Sequence, residues 1–183
     1  MSRLVLVRHG RAAAGWDADL DPGLDDVGRS QARAAADALA DLGPLPVYSS
    51  PLRRCQETAA PLARRWETEV RIEPGVGEVE SPTDDLAERG AWLRGFMAGT
   101  WEEHPPELHV WRQRVLGTLV GLEGEDAVVF SHFIAINVVV GAALDDPRVI
   151  CFAPDNGSRT VVEVQGGRFS VVELGGQAGT RVN

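Results

Sequence analysis

Short segments that are rich in branched apolar residues recur along the chain, and each of them either ends in a polar residue or is followed by one. The runs are residues 4–7, 46–49, 70–72 and 126–131. The runs 4–7 and 126–131, which are almost continuously apolar, are typical of strands that are buried inside an α/β sheet, and we expect the first to be covered on both faces. Arg8 and His9 follow the first run directly, and His132 follows the last one.

Segments with apolar residues at helical spacing separate these runs. Asp25 is a suitable N-cap for the first helix, and Pro51 fits the first turn of the second. The predicted helices are residues 24–42, a segment that begins at Pro51, residues 83–98, a segment that runs from Pro106 to about 122, and residues 133–144. Helices that alternate with strands predict a mostly parallel α/β sheet, and we expect the helices at 83–98 and 106–122 to cover one face of it or to form a small lid.

The last two predicted strands, residues 160–165 and 168–174, flank the dipeptide Gly166-Gly167. A glycine pair between two strands predicts a β-hairpin, so this end of the sheet should be antiparallel. The expected fold class is α/β, with an antiparallel C-terminal edge to the sheet. We expect one domain over residues 1–174 and a flexible tail over residues 175–183.

Composition narrows the class of partner. The 183 residues carry a formal net charge of -9, which argues against nucleic acid or an anionic membrane as the main partner. No apolar run approaches the ~20 residues of a membrane span, and the N-terminus lacks a signal-peptide pattern, so we expect a cytoplasmic protein. Cys55 and Cys151 are the only cysteines, which provide neither a disulfide framework nor a four-cysteine zinc site.

All 18 basic residues are arginine, because the chain contains no lysine. This excludes Schiff-base chemistry on lysine, the P-loop lysine and the kinase strand lysine. Any phosphate chemistry of this protein must therefore use arginine, histidine, backbone amides or a metal ion.

Cationic and titratable side chains follow three of the predicted strands. Arg8 and His9 follow the first, Arg53 and Arg54 lie near the start of the second helix, and His132 follows the last parallel strand. Ligands of α/β sheets bind beyond the carboxyl ends of strands, so these side chains should meet there. Arginine opposes the dipole at a helix N-terminus, and a bound anion is one reason to tolerate it.

A loop after the third strand adds carboxylates, including Glu78 and Glu80. Two histidines, at least two arginines and a carboxylate, without the spacing of metal ligands, suit metal-free phosphoryl transfer. The arginines would hold the phosphoryl group bidentately, one histidine would attack in line, and the carboxylate would protonate the leaving oxygen.

Four ordered motifs resemble the histidine phosphatase superfamily, in its phosphoglycerate mutase-like group. They are Arg8-His9-Gly10, Leu24-Asp25-x-x-Gly28-x-x-Gln31-Ala32, Ser49-Ser50-Pro51-Leu52-x-Arg54-x-x-Glu57-Thr58-Ala59 and Ser131-His132. The resemblance implies a three-layer α/β/α fold and a phosphohistidine intermediate on His9. It also implies a phosphate pocket formed by Arg8, Arg54 and His132, with Glu78 as the proton donor and Glu80 as the alternative.

Several positions depart from the family pattern. Asp25 replaces the usual Thr and Glu57 the usual Gln, and we expect both changes to be structural. Asp17 stands near the end of a longer first loop, where a carboxylate would repel a phosphate. Arg53 is expected at the rim, since the family spacing selects Arg54.

Phe133 and Ile134 stand where the family often has two glycines. We expect the backbone amide of Phe133, at a helix N-terminus, to face the phosphate, and its ring to narrow the pocket. The default interpretation places two histidines of the later helices on the surface and three aromatic residues in the core: His104, His109, Trp92, Phe96 and Trp101.

The resulting hypothesis is a metal-free and cofactor-free phosphatase that hydrolyses a phosphate monoester, either a small molecule or a phosphoprotein. One alternative is phosphoryl transfer of the phosphoglycerate mutase type, which the short segment 79–106 disfavours. Another alternative is a non-catalytic module that binds a phosphorylated ligand. The sequence leaves the substrate and the oligomeric state open.

Overall fold

Strands and helices alternate along residues 1–15 and 18–177, the part of the chain that this computed structural model describes. In chain order they are β1 (Ser2–Arg8), α1 (Asp26–Leu39), β2 (Val47–Ser49), α2 (Arg53–Arg65), β3 (Val70–Ile72), α3 (Leu86–Ala98), α4 (Pro106–Val120), β4 (Ala127–Ser131), α5 (Phe133–Leu144), β5 (Arg159–Gln165) and β6 (Arg168–Glu173). None of these helices is both long and apolar enough to cross a membrane.

The six strands form one sheet in the order β3-β2-β4-β1-β5-β6. β1 and β2 both pair in parallel with β4, and β3 pairs in parallel with β2. β5 pairs antiparallel with β1 and with β6, which turns back at Gly166 and Gly167, both with positive φ. The mostly parallel sheet with an antiparallel C-terminal edge is confirmed.

Helices cover both faces of the sheet, as the continuous apolar runs predict. On one face Val5, Val7 and Phe130 pack with α1 and α2. On the other face Leu4 and Leu6 pack with apolar residues of α3, α4 and α5. Alternate residues of β1 thus point into opposite helical layers, so none of the central positions of this strand is polar. The three-layer arrangement is confirmed.

Side-chain caps decide where two helices begin. The Asp25 carboxylate accepts a hydrogen bond from the Gly28 amide and starts α1, as predicted. Asp85 accepts from the amides of Ala87 and Glu88, so α3 starts at Leu86 and the predicted start at residue 83 is wrong. α2 starts at Arg53 after an extended Leu52, so Pro51 precedes the helix and does not lie in its first turn.

The first residues of the predicted tail contact the rest of the domain, while its flexibility stays a prediction. The amide of Gly175 donates to Thr160 Oγ1 over 3.3 Å, and the carbonyl of Gly176 accepts from the Asp155 amide over 2.8 Å. Gln177 forms a β-bridge with Pro154. Residues 175–177 are therefore attached to the loop before β5, and residues 178–183 lie outside the described residues.

Two glycines let α1 approach the end of β1. A Cβ at Gly10 would lie 2.5 Å from the Gly28 carbonyl oxygen, and a Cβ at Gly28 would lie 2.1 Å from the Arg11 carbonyl oxygen. Both distances are shorter than any real contact, and both involve backbone that cannot swing aside. Since Gly10 follows His9 directly, this close approach fixes the backbone beside the first histidine.

We predict that Gly28→Ala lowers the free energy of unfolding by about 1–3 kcal/mol, because the added methyl group overpacks a backbone contact. Gly117→Ala on α4 is the matched control, since a Cβ there meets no described atom within 4 Å. In an exposed helix this change should stabilise by about 1 kcal/mol. Urea unfolding of both variants measures the two effects, and equal responses would contradict the packing argument.

Candidate active site

The carboxyl ends of β1, β2 and β4 lie side by side and bring the predicted site together. Arg8 is level with Ser131, and Ser49 is level with Phe130, so the residues that follow each strand meet at one edge. Arg54 reaches the same place from the first turn of α2. The five residues that meet here, called the strand-end cluster, are Arg8, His9, Arg54, Glu78 and His132, all of them buried.

The hydrogen bonds of His9 define its tautomer. Nδ1 lies 2.7 Å from the carbonyl oxygen of Gly10, and Nε2 receives a hydrogen bond from Arg54 Nε over 3.2 Å. A guanidinium only donates, so Nε2 carries a lone pair and Nδ1 carries the proton. Burial, followed by the charges of Arg54 and Arg8, holds the pKa of His9 well below its usual range. His9 is therefore neutral, with a nucleophilic nitrogen that faces Arg54.

The same argument applies to His132. Its Nδ1 lies 3.2 Å from Arg54 Nη2, and its Nε2 lies 2.8 Å from Ser50 Oγ. Nδ1 must accept from the guanidinium, so Nε2 carries the proton and donates it to Ser50. Burial and then the charge of Arg54 lower its pKa as well, and its ring centroid lies 5.2 Å from that of His9.

Arg8 places an available donor in the cluster. Its Nη1 donates to the Pro154 carbonyl oxygen over 2.8 Å, and its guanidinium carbon lies 4.9 Å from the centre of the Phe133 ring. Burial lowers the pKa of Arg8 to about 10, so it stays charged at neutral pH. Its buried Nε has no acceptor among residues 1–15 and 18–177. A buried donor without an acceptor costs ~1–3 kcal/mol, and an anionic ligand would supply one.

Glu78, and not Glu80, joins the strand-end cluster. Its carboxylate accepts from the amides of Ile134 over 3.0 Å and Ala135 over 3.2 Å, at the N-terminus of α5. Burial raises the pKa of Glu78, against the opposing effect of these amides and of Arg54. Glu80 is exposed. The structure thus places a buried carboxyl beside the arginines, and its proton is easier to retain than that of an ordinary glutamate.

We expected the Phe133 ring to narrow the pocket and its backbone amide to face a phosphate, and the structure agrees with this only in part. Its ring is buried and covers the Arg8 guanidinium, which narrows this side of the cluster. The next two amides of α5 bind Glu78. The anion at this helix N-terminus is therefore a carboxylate of the protein itself.

The residues that depart from the family pattern hold loops in place. Glu57 accepts from the Leu24 amide over 2.7 Å and from Arg53 Nε over 2.7 Å. Arg53 is exposed, as expected for a residue at the rim. Asp25 caps α1 and also pairs with Arg11. Asp17 lies outside the described residues.

Sequence reasoning missed four polar residues that hold the cluster. Asp21 accepts from the Arg53 amide over 2.8 Å and lies 3.9 Å from Arg54 Nη1. The Ser50 hydroxyl orients His132, Thr58 accepts from the Gly10 amide, and Asn156 donates to the His9 carbonyl oxygen. Ser50 and Thr58 belong to one of the family motifs, but the motif alone did not predict what these two side chains contact. Asp21 and Asn156 lie in loops that give no sequence signal.

In the described ranges, 1–15 and 18–177, no group of three or more His, Cys, Asp or Glu side chains is arranged to hold a metal ion.

The buried Cys55 lies 3.4 Å from His132 Nε2, and burial raises the pKa of its thiol. Its thiol is therefore a packing group and not a nucleophile.

The buried histidines predict a loss of stability in mild acid. The pKa of His9 and of His132 lies below 6.5 in the folded chain, so each binds a proton more readily when unfolded. The free energy of unfolding should fall by about 1.4 kcal/mol per pH unit for each histidine as the pH drops below the unfolded value. The raised pKa of Glu78 acts the other way, since its stabilising effect is lost as the pH rises.

Urea unfolding of wild type and His132→Gln between about pH 7 and 5 isolates one histidine. The variant should show a pH slope that is smaller by about 1.4 kcal/mol per unit. Equal slopes would show that His132 is not held neutral by the fold.

The sequence and the fold of this chain are similar to those of known proteins. A profile of the histidine phosphatase superfamily (branch 1) matches residues 4–176. A bifunctional protein of Mycobacterium tuberculosis is 31% identical over 209 aligned residues, which cover 97% of this chain and 54% of the relative. Glucosyl-3-phosphoglycerate phosphatase of Mycolicibacterium vanbaalenii is 38% identical over 120 residues, 59% of this chain and 53% of the relative.

The chain thus spans about half the length of the curated relatives it matches. The solved structure of a mycobacterial glucosyl-3-phosphoglycerate phosphatase with VO3 superposes with a TM-score of 0.71 at 26% sequence identity, over 93% of this chain and 97% of that chain. Since the family profile covers nearly the whole chain, the protein belongs to the histidine phosphatase superfamily.

Proposed function

We propose that this protein hydrolyses phosphate monoesters through a phosphohistidine intermediate on His9, without a metal ion. The observation that carries the proposal is the neutral His9, whose unprotonated Nε2 lies 3.2 Å from Arg54 Nε. A neutral imidazole between two buried guanidinium groups is a nucleophile beside an anion site. Phosphatases among the relatives support the reaction type.

In the first step Arg8 and Arg54 bind the phosphoryl oxygens. The hydrogen bond from Arg54 Nε passes from His9 to a phosphoryl oxygen, which frees the Nε2 lone pair. Nε2 attacks phosphorus in line and the bond from phosphorus to the leaving oxygen breaks. The carboxyl proton of Glu78 goes to that oxygen and releases an alcohol. The Nδ1 proton remains hydrogen-bonded to the Gly10 carbonyl oxygen, which supports the positive charge that forms on the ring.

In the second step a water molecule attacks the phosphorus of phosphohistidine. The Glu78 carboxylate takes a proton from that water, the bond from nitrogen to phosphorus breaks, and His9 regains its lone pair. Inorganic phosphate leaves, and Glu78 is again protonated for the next cycle. Both proton transfers use one carboxyl group, which matches the single carboxylate that the strand-end cluster contains.

The substrate class is a phosphorylated small molecule. The curated relative named above is a glucosyl-3-phosphoglycerate phosphatase, which supports an ester of a small alcohol. A phosphoprotein is the second candidate from the sequence, and a substrate panel that includes phosphopeptides separates the two.

Hydrolysis of 4-nitrophenyl phosphate in excess EDTA tests the proposal. We expect wild type to remain active, and His9→Ala to lose at least about 10³-fold in kcat because the nucleophile is gone. Rapid quench with labelled phosphate ester should trap an acid-labile phosphoenzyme in wild type alone. Binding of phosphate without any turnover would identify a binding module, and loss of activity in EDTA would refute metal-free catalysis.

Glu78→Gln tests the proton donor, with Glu80→Gln as its matched comparison. We expect Glu78→Gln to slow hydrolysis of an alkyl phosphate by about 10²–10⁴-fold, because an alkoxide needs a proton to leave. The loss should be much smaller for 4-nitrophenyl phosphate, whose phenolate leaves without one. A large, leaving-group-dependent loss in Glu80→Gln instead would reassign the donor.

A further inference from the structure

An open cavity of about 770 Å³ lies between the segment 79–82, α3 and α4. Its walls include Trp92, Phe96, Leu108 and Trp111, and we call it the aromatic cavity. Its volume is within the range of small-molecule sites, which are mostly apolar clefts of ~300–1,000 Å³. Nothing in the proposed chemistry at the strand-end cluster uses it.

The backbone joins the aromatic cavity to the proton donor. Val79 and Glu80, which line the cavity, follow Glu78 directly in the chain. Successive Cα atoms are about 3.8 Å apart, so the backbone of Val79 in the cavity wall lies next to that of the residue that would protonate the leaving oxygen. In an in-line displacement the leaving oxygen lies opposite the attacking nitrogen, so its organic group extends away from His9.

The helix α3 makes a second connection. Arg89, Trp92 and Phe96 are three and four residues apart and lie on one face of the helix. The charge of Arg54 acts on Arg89 and adds to the effect of burial in lowering its pKa. Arg89 is therefore close enough to Arg54 for their charges to interact, and Trp92 and Phe96 on the same helix line the aromatic cavity.

The polarity of the lining residues decides which organic groups the aromatic cavity favours. Trp92 stacks on Phe96 with ring centroids 5.4 Å apart, and Pro82, Pro105 and Leu108 add further apolar surface. The charged residues of the lining, Glu80, Glu107 and Arg114, are all exposed. The two carboxylates outnumber the one guanidinium and therefore repel a second anionic group. An uncharged ring is favoured instead, because burial of its apolar surface stabilises the complex by ~25 cal/mol per Å².

We propose that the aromatic cavity binds the organic group of the substrate and selects phosphate monoesters of uncharged alcohols that carry an aromatic or apolar ring. This inference rests on the proposed phosphatase function. It assigns the phosphoryl group to the strand-end cluster and the alcohol to the segment 79–82, α3 and α4.

Three alkyl phosphates test the selection: methyl phosphate, glycerol 3-phosphate and 2-phenylethyl phosphate. All three release an alkoxide oxygen, so differences in kcat/KM report the binding of the organic group. We expect wild type to prefer 2-phenylethyl phosphate by at least about tenfold over both others. Preference for glycerol 3-phosphate would overturn the proposal in favour of a polyol site.

A variant that fills the aromatic cavity tests whether the cavity causes the substrate preference. Gly95 lies on the cavity side of α3, and a Cβ there meets no described atom within 4 Å, so Gly95→Leu projects a side chain into the cavity without a backbone clash. It should reduce the ratio of kcat/KM for 2-phenylethyl phosphate to that for methyl phosphate to about one. Gly117→Leu, at an equally open glycine of α4 that does not line the cavity, should retain the wild-type ratio.

The outcomes separate the two proposals. Turnover of all three esters at equal kcat/KM, or a wild-type ratio in Gly95→Leu, would overturn the cavity assignment and leave the phosphatase intact. No turnover of any ester, with no phosphoenzyme, would overturn the phosphatase function and the cavity assignment with it.

Discussion

The guanidinium of Arg54 is the interaction on which the candidate site depends. It donates to His9 Nε2 and lies within hydrogen-bond distance of His132 Nδ1, both over 3.2 Å. Because arginine has donors only, this one group fixes the tautomers of both rings and discourages their protonation. A lysine would not achieve this, since its single ammonium nitrogen lacks the rigid fork that spans two rings. The absence of lysine from the chain is therefore compatible with the chemistry of the site, whatever its origin.

A second balance controls Glu78. Burial favours its protonated form, while the amides of Ile134 and Ala135 and the charge of Arg54 favour the carboxylate. The proposed mechanism requires Glu78 first to give a proton and then to take one, which works best when neither form is strongly preferred. The backbone dipoles at the start of α5 offset the effect of burial on this carboxyl.

The sequence predicts the elements of this site better than their contacts. β1 and β4 were readable because burial on both faces requires an unbroken apolar run, and parallel pairing then brings Arg8 and His132 to one edge. Only the family resemblance favoured Glu78 over Glu80, because both lie in a loop where no periodicity indicates which side chain turns inward. The contact from Asn156 to the His9 carbonyl oxygen joins residues far apart in the chain, and only the fold reveals it. The predicted start of α3 at residue 83 was wrong because the Asp85 side chain caps the amides of Ala87 and Glu88, a contact that the apolar spacing does not reveal.

Charge accounts for the kind of ligand that the strand-end cluster favours. Arg8 and Arg54 are cationic, while the environment of His9 and of His132 holds both rings neutral. With Glu78 protonated, the cluster carries the charge of its two guanidinium groups alone, and a phosphate monoester dianion balances it. With Glu78 ionised, one positive charge is already cancelled, and the same dianion leaves an excess of negative charge in a buried site. Binding of the dianion therefore favours the protonated form of Glu78, which is the form that the first step of the proposed mechanism would consume. In that mechanism the ligand and the acid are coupled through the two arginines, so binding of the substrate would itself prepare Glu78 to protonate the leaving group.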